Sequence, residues 1–200
     1  MFINEKILRK LMIKAYKGNG LYMARECGYY YLSDEFNRSW EAKIAVGCVP
    51  KTILGAMVEC AGELPEDGEG WTSDKEKNQR EAFLKWGAPD PERQTLEPVT
   101  LTPVLVMSPG GTVYHVLQLP NDVAMCVTPA MWNAIDAAAV DRANGEGMIK
   151  GPFYDGDRGI VAYTDQAVWH AHAGRPIRTD EVMDILSEHM LRYDDAEERE

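Results

Sequence analysis

Hydrophobic positions near the start of the chain recur every three or four residues. The apolar side chains are Ile7, Leu8, Leu11, Met12, Ala15 and Tyr16, and basic side chains take the opposite face. This period predicts an amphipathic helix over residues 4–17, with Asn4 as its N-cap and Gly18 at its end. A basic amphipathic helix can bind a membrane or nucleic acid, but a helix docked on its own protein has the same pattern, and docking is favoured here.

A strand-forming pattern follows this first helix. Residues 21–33 and 40–49 alternate apolar and polar side chains or run apolar, and they predict three antiparallel strands. Pro50 can then open a helix at no cost, because the first turn of a helix leaves its N–H groups unpaired. That helix is predicted to run through Ala61 and to end at Gly62.

The same order of elements returns in the second half of the chain. Residues 101–119 predict a hairpin, residues 123–127 predict a third strand, and Pro129 opens a helix that should reach about Arg142. In both halves a Cys-Val pair stands just before the proline. The shared order of hairpin, third strand and proline-led helix favours an internal duplication.

A weaker third copy is predicted near the C-terminus. A glycine-rich turn over residues 155–159 precedes a hairpin over residues 160–173, and a final helix should run from Glu181 to Tyr193. Blocks of strands that are each followed by a helix predict an α+β fold of antiparallel strand blocks rather than a βαβ repeat.

Residues 65–98 differ from both halves. Prolines, glycines and charges punctuate this stretch, and its best periodic piece is a short helical candidate, Asp74–Trp86. The composition predicts a linker or a long excursion between two modules, residues 1–64 and 99–200. Large aromatic residues such as Trp71 indicate that the excursion packs against another part of the protein.

Charge narrows the classes of partner. The chain has 32 acidic and 21 basic residues and a net charge of −11, although residues 1–18 are locally basic. An acidic surface repels nucleic-acid phosphates, so direct nucleic-acid binding is not expected. A protein partner with a basic surface fits better, and the candidate contact is the acidic loop of Glu63, Glu66, Asp67 and Glu69. Solubility alone would also explain these charges.

Cysteine usage and hydropathy predict a cytoplasmic protein. Cys27, Cys48, Cys60 and Cys126 show neither a CxxC pair nor zinc-like spacing, which is typical of a reducing compartment. The last three have apolar neighbours and are predicted to be buried and inert. The N-terminus lacks the pattern of a signal peptide, and no apolar run is long enough to span a bilayer, so no membrane association is expected.

Two histidines form the most suggestive chemical pattern. On a strand, His170 and His172 project from one face and Trp169 from the other. Two imidazoles placed in this way can bind a metal, with Asp165 or the distant His115 completing the set. A half-exposed strand near a hairpin end gives the same pattern without any ligand.

Other catalytic patterns are weak. Asp155-Gly156-Asp157-Arg158-Gly159 is similar to the start of a calcium loop, but Gln166 stands where the bidentate acidic residue is needed. A glycine-rich turn with solvated carboxylates is therefore favoured. The sequence contains no G-x-S-x-G elbow and no Walker pattern, so no cofactor is expected and a non-enzymatic protein is favoured.

Residues 4–12, Asn4-Glu5-Lys6-Ile7-Leu8-Arg9-Lys10-Leu11-Met12, resemble the start of uncharacterised accessory proteins of phages and mobile elements from clostridial-type bacteria. Residues 15–18 and 49–65 have the same character, so the resemblance covers about the first third of the chain. It implies an accessory protein that binds and modulates a host or phage protein in the bacterial cytoplasm. Its sharpest form is an anti-defence inhibitor, such as an inhibitor of a CRISPR effector.

Two alternatives remain open from the sequence. One is a small metal-dependent or ligand-binding enzyme that uses His170 and His172. The other is a structural module that forms homo-oligomers through exposed strand edges.

Overall fold

The structure is a computed structural model. It describes residues 1–34, 39–82, 90–93, 95–119, 124–136, 149–156 and 159–174. The helix predicted from Glu181 to Tyr193 lies outside the described residues. The helix predicted from Pro129 to about Arg142 is too long, because it ends at Trp132 and Ile135 forms a β-bridge with Ile3; residues 137–142 are not described.

Three helices and twelve strands are present in the described ranges. The helices are α1 (Glu5–Lys17), α2 (Lys51–Ala61) and the single turn α3 (Pro129–Trp132). The strands are β1 (Leu21–Glu26), β2 (Tyr29–Asp34), β3 (Trp40–Ala45), β4 (Glu69–Ser73), β5 (Asn78–Ala82), β6 (Glu97–Pro98), β7 (Thr100–Met107), β8 (Val113–Gln118), β9 (Ala124–Val127), β10 (Lys150–Tyr154), β11 (Gly159–Tyr163) and β12 (Ala167–His172).

The strands form two antiparallel sheets. Nine of them make one sheet in the order β5-β4-β1-β2-β3-β12-β11-β10-β6, and β7-β8-β9 make a second sheet. Helices combined with antiparallel sheets confirm the α+β class. Each half contains three strands, a proline and a helix in the predicted order, but β1–β3 lie inside the large sheet while β7–β9 form their own. The duplication therefore stays a prediction.

The two long helices begin and end as the sequence predicts. The Asn4 side chain accepts hydrogen bonds from the backbone N–H groups of Lys6 and Ile7, which confirms it as the N-cap of α1. Pro50 immediately precedes α2, and Gly62 ends that helix at a φ of 88°, in the left-handed region that glycine adopts without strain.

The main core lies between these helices and one face of the large sheet. Its aromatic centre is a stacked pair, Trp40 on β3 and Trp169 on β12, whose ring centroids are 5.9 Å apart. The indole N–H of Trp169 also donates to the backbone oxygen of Met131, which ties the large sheet to α3. Helix α1 is docked by Leu8 and Met12, both fully buried, as its apolar stripe predicts.

The helix predicted over Asp74–Trp86 is wrong where the structure describes it, because Asn78–Ala82 is strand β5. The cause is the local chemistry of Asp74, whose carboxylate accepts hydrogen bonds from the backbone N–H groups of Glu76 and Lys77. This arrangement closes a tight turn instead of capping a helix. Strands β4, β5 and β6 all come from residues 65–98 and join the same sheet as strands from both flanking segments.

The cysteines divide into two environments. Cys60 and Cys126 are buried, as predicted, and burial raises the pKa of both thiols, that of Cys60 to about 11. The prediction for Cys48 is wrong, because β3 ends at Ala45 and Cys48 lies in a half-buried 3-10 turn. Cys27 is exposed. All four thiols are free.

Candidate functional site

His170 lies on β12, one of the inner strands of the large sheet. β12 pairs with β3 on one side and with β11 on the other. Trp169 and Ala171 face the helix-covered core, so alternation directs His170 and His172 to the opposite face. Their rings meet edge to face with centroids 5.5 Å apart, which confirms that they share one face. The alternative of a half-exposed strand is wrong for His170, because only 2% of its surface is exposed.

Two buried carboxylates flank the His170 ring. Nε2 lies 2.7 Å from Asp155 Oδ2, and Nδ1 lies 3.5 Å from Glu41 Oε2, a longer contact that is an ion pair without hydrogen-bond geometry. Glu41 is brought there by strand register, because it pairs directly with His170 between β3 and β12. Asp155 comes from the turn after β10. We call Glu41, Asp155 and His170 the histidine cluster.

Gly159 holds the Asp155 carboxylate in position. Its backbone N–H donates to Asp155 Oδ1 at 3.0 Å, so one carboxylate bridges the glycine backbone and the imidazole. A Cβ at this glycine would lie 2.6 Å from His170 Nε2 and 2.6 Å from the backbone oxygen of Ala171. Only glycine allows the turn to approach β12 this closely.

The cluster keeps His170 positively charged. Burial by itself would lower the pKa of His170, but the contacts with Asp155 and Glu41 outweigh it and raise that pKa to about 9. For His172, burial and the nearby charge of His170 lower the pKa despite partial compensation by surrounding carboxylates. At neutral pH the large sheet therefore contains a buried imidazolium between two carboxylates.

The geometry is unfavourable for metal binding at His170. A protonated imidazole has no free lone pair, and both of its nitrogens already face carboxylates. In the described ranges, no group of three or more His, Cys, Asp or Glu side chains is arranged to hold a metal ion. Asp165 lies in the β11–β12 turn, at the far end of β12 from His172, and His115 lies on β8 in the other sheet. The structure does not bring either of them into the histidine cluster.

Sequence reasoning missed the roles of Glu41 and Asp155. Asp155 was expected to be a solvated carboxylate of a glycine-rich turn, and that prediction is wrong because the residue is buried against His170. The turn itself was visible in the sequence. Glu41 gave a weaker signal, the one acidic residue of a strand that also carries Lys43, and strand pairing was needed to find its partner.

The acidic loop is partly neutralised by Arg80. The guanidinium lies 2.9 Å from Glu63 Oε1 and 3.6 Å from Glu69 Oε1, and it covers the Trp71 ring at 4.7 Å. Glu66 and Asp67 are exposed, although the Glu66 backbone N–H donates to Glu69. The loop therefore presents fewer uncompensated charges than its sequence suggests.

A surface feature that the sequence did not single out lies on the β7–β8 hairpin. We call it the apolar strip, and it consists of Leu101, Leu105, Met107 and Val113. Leu105 is 58% exposed and Met107 is 71% exposed. Met107 pairs directly with Val113, so the strip crosses from β7 to β8 on one face. Val104 and Val106 point to the opposite face, where they pack with Val116.

Comparisons with known proteins leave the family open. Neither a scan against protein-family models nor a search of the curated proteins finds a match. In the part of the chain that the structure describes, no helix is long and apolar enough to cross a membrane.

Proposed function

We propose that this chain is a non-enzymatic protein that acts by binding another protein through the apolar strip. The observation that carries the proposal is the exposure of four large apolar side chains on one hairpin. Contiguous exposed apolar surface is typical of protein interaction sites. Leu105 is 58% exposed and Met107 is 71% exposed, so burying the rest of each side chain against a partner would contribute about 1–2 kcal/mol each.

The partner is expected to contact the side chains of the strip rather than the backbone edge of β7. Pro103 lies within β7 and has no N–H to donate, and the register with β8 is irregular between Leu101 and Leu105. Both features disfavour the addition of another strand along this edge. An apolar centre with a polar rim is the usual composition of a protein interface.

The nature of the partner is inferred from the N-terminal resemblance and from charge. The resemblance of residues 4–12, 15–18 and 49–65 to phage and mobile-element accessory proteins favours a host or phage protein in the bacterial cytoplasm. In its sharpest form, the protein is an anti-defence inhibitor. Glu66 and Asp67 would add long-range attraction to a basic partner, a contribution that mainly affects association rate and salt dependence.

The alternative function, a metal-dependent or ligand-binding enzyme at His170 and His172, has less support. His170 is buried, and its two nitrogens face Asp155 and Glu41. A catalytic role would require one of these nitrogens to reach a substrate. The histidine cluster is better explained as a structural element of the large sheet.

The test compares a double variant in the apolar strip with a single control variant outside it. Leu105→Ser/Met107→Ser should remove most of the capture of a partner from bacterial lysate, whereas Val58→Ser should not, because Val58 is an exposed apolar residue on α2, away from the strip. All these side chains are exposed, so thermal denaturation should show little change in stability. Equal capture by the double variant and by the wild type would refute the proposal.

A charge variant separates the two candidate surfaces. Reversing Glu63, Glu66, Asp67 and Glu69 together should change the salt dependence of partner binding without abolishing it. Complete loss of binding in this variant, with binding retained in the strip variant, would show that the partner binds the acidic loop and not the apolar strip.

A further inference from the structure

A second candidate site lies on the sheet face opposite the main core. Four side chains on neighbouring strands form a row through direct cross-strand pairing: Tyr31 on β2, Lys43 on β3, Val168 on β12 and Tyr163 on β11. Together with residues 90–92 and the β11–β12 turn, this row lines a cavity of about 370 Å³. That volume is at the small end of the range for ligand sites, roughly 300–1,000 Å³, and suits a small molecule. We call it the tyrosine pocket.

Lys43 is the positive group of the pocket. Its Nζ lies 4.4 Å from the ring centroid of Tyr29 and 6.0 Å from that of Tyr31. Among the described residues, this half-buried ammonium forms no ion pair with a carboxylate. The tyrosine faces hold it in place by cation–π attraction and leave its N–H donors available to an anionic group.

Negative charge lines the same cavity. Glu92 and Asp165 are exposed carboxylates among the lining residues, whereas Asp90 accepts a hydrogen bond from the Glu92 backbone N–H. A purely anionic ligand would be repelled by these carboxylates, and a purely cationic one would leave Lys43 without a partner. The ring of Tyr163 already has a cation partner within the protein, since Lys150 Nζ lies 5.3 Å from its centroid.

We propose that the tyrosine pocket binds a basic α-amino acid. The ligand's carboxylate contacts the Lys43 ammonium, and its two cationic groups face Glu92 and Asp165. Three carboxylates line the cavity, and one of them, Asp90, accepts the Glu92 backbone N–H. The Lys43 ammonium and the carboxylates of Glu92 and Asp165 then match the one carboxylate and two cations of the ligand. The tyrosine pocket is separate from the apolar strip, so the test of ligand binding does not depend on whether the strip binds a protein.

Isothermal titration calorimetry of the full chain with L-arginine tests this site. Two analogues isolate its contacts: agmatine lacks the carboxylate, and L-citrulline has a neutral side chain. L-Arginine should bind saturably, and each analogue should bind about tenfold more weakly or worse, the loss expected for one charge-assisted contact. Absence of saturable heat with L-arginine up to about 10 mM, a concentration that would reveal even weak complexes, would overturn the proposal.

Variants then assign the contacts. Lys43→Met should weaken L-arginine about tenfold, to the level of agmatine, and should leave agmatine unchanged. Asp165→Asn, in an exposed turn, should weaken the binding of both L-arginine and agmatine. This variant still tests the proposal if the Lys43 variant fails to fold. Lys77→Met, at an exposed position in the β4–β5 turn, is the matched control. L-Arginine binding that is unaffected by either pocket variant would place the ligand elsewhere and overturn the proposal.

Discussion

The charge of His170 makes a quantitative prediction about pH. In the folded protein His170 keeps its proton up to about pH 9, whereas an unfolded histidine loses it near pH 6.5. The stabilisation from this proton is therefore fully present below pH 6.5 and is lost as the pH rises through about 9. A rise in pKa from 6.5 to about 9 is equivalent to roughly 3 kcal/mol, because a tenfold change in proton affinity corresponds to about 1.4 kcal/mol.

Urea unfolding followed by circular dichroism measures this contribution. The free energy of unfolding of the wild type should fall by roughly 3 kcal/mol between pH 6.5 and 9. His170→Gln should remove this pH dependence and should also destabilise the protein at pH 6.5, because Glu41 and Asp155 would lose their contacts with the buried imidazolium. The range ends at pH 9, because at higher pH the buried thiols Cys60 and Cys126, with raised pKa values, change stability in the same direction.

The control for this experiment is His115→Gln. His115 is a half-buried histidine on β8, outside the histidine cluster, so its replacement should leave the pH dependence parallel to that of the wild type. If the His170→Gln curve also ran parallel to the wild type, the reasoning would be refuted. Should that variant not fold, an NMR titration of the wild-type His170 ring replaces it, with a midpoint near 9 expected and one near 6.5 contradicting the prediction.

Three further predictions follow from the same structure. Because the pKa of His172 is lowered in the folded protein, the unfolded chain binds that proton more readily, and the free energy of unfolding should fall as the pH drops below 6.5. In urea titrations, His172→Gln should reduce this loss of stability at acid pH. Gly159→Ala should lower the free energy of unfolding by about 1–3 kcal/mol or more in thermal unfolding, because the new methyl group would clash with His170 and the β12 backbone. Gly55→Ala, in open space on α2, should instead stabilise the protein by roughly 0.5–1 kcal/mol. Equal effects of the two alanines would contradict this account. A thiol reagent should label Cys27 first and the two buried cysteines only after unfolding, and mass spectrometry of partly labelled protein checks that order.

Local patterns predicted the parts of the fold that local chemistry controls. Asn4 caps α1 and Gly62 ends α2, because the cap residue and the left-handed glycine act within one helical turn. The alternation of β12 correctly placed His170 and His172 on one face. The helix predicted from Asp74 failed for a local reason too, since the same side chain can cap a helix or close a turn, and pairing of β4 with β5 favours the turn.

Long-range pairing explains what the sequence could not supply. Glu41 and His170 are 129 positions apart, and they meet because β3 and β12 are neighbours in the large sheet. The neutralisation of the acidic loop by Arg80 likewise depends on the β4–β5 hairpin, which replaced the predicted helix. The apolar strip has an alternating pattern that looks buried in sequence, and its exposure becomes visible once the two faces of the β7–β8 sheet are known.

Site-specific photo-crosslinking tests the central claim, protein binding through the apolar strip, most directly. A photoreactive amino acid would replace Leu105 in one variant and Val58 in another, since both side chains are exposed and apolar. After irradiation with bacterial lysate, the variant labelled at position 105 should give a single crosslinked partner that is absent from the variant labelled at position 58. Identical crosslinks at both positions, or a partner that is captured without crosslinking at position 105, would contradict the claim.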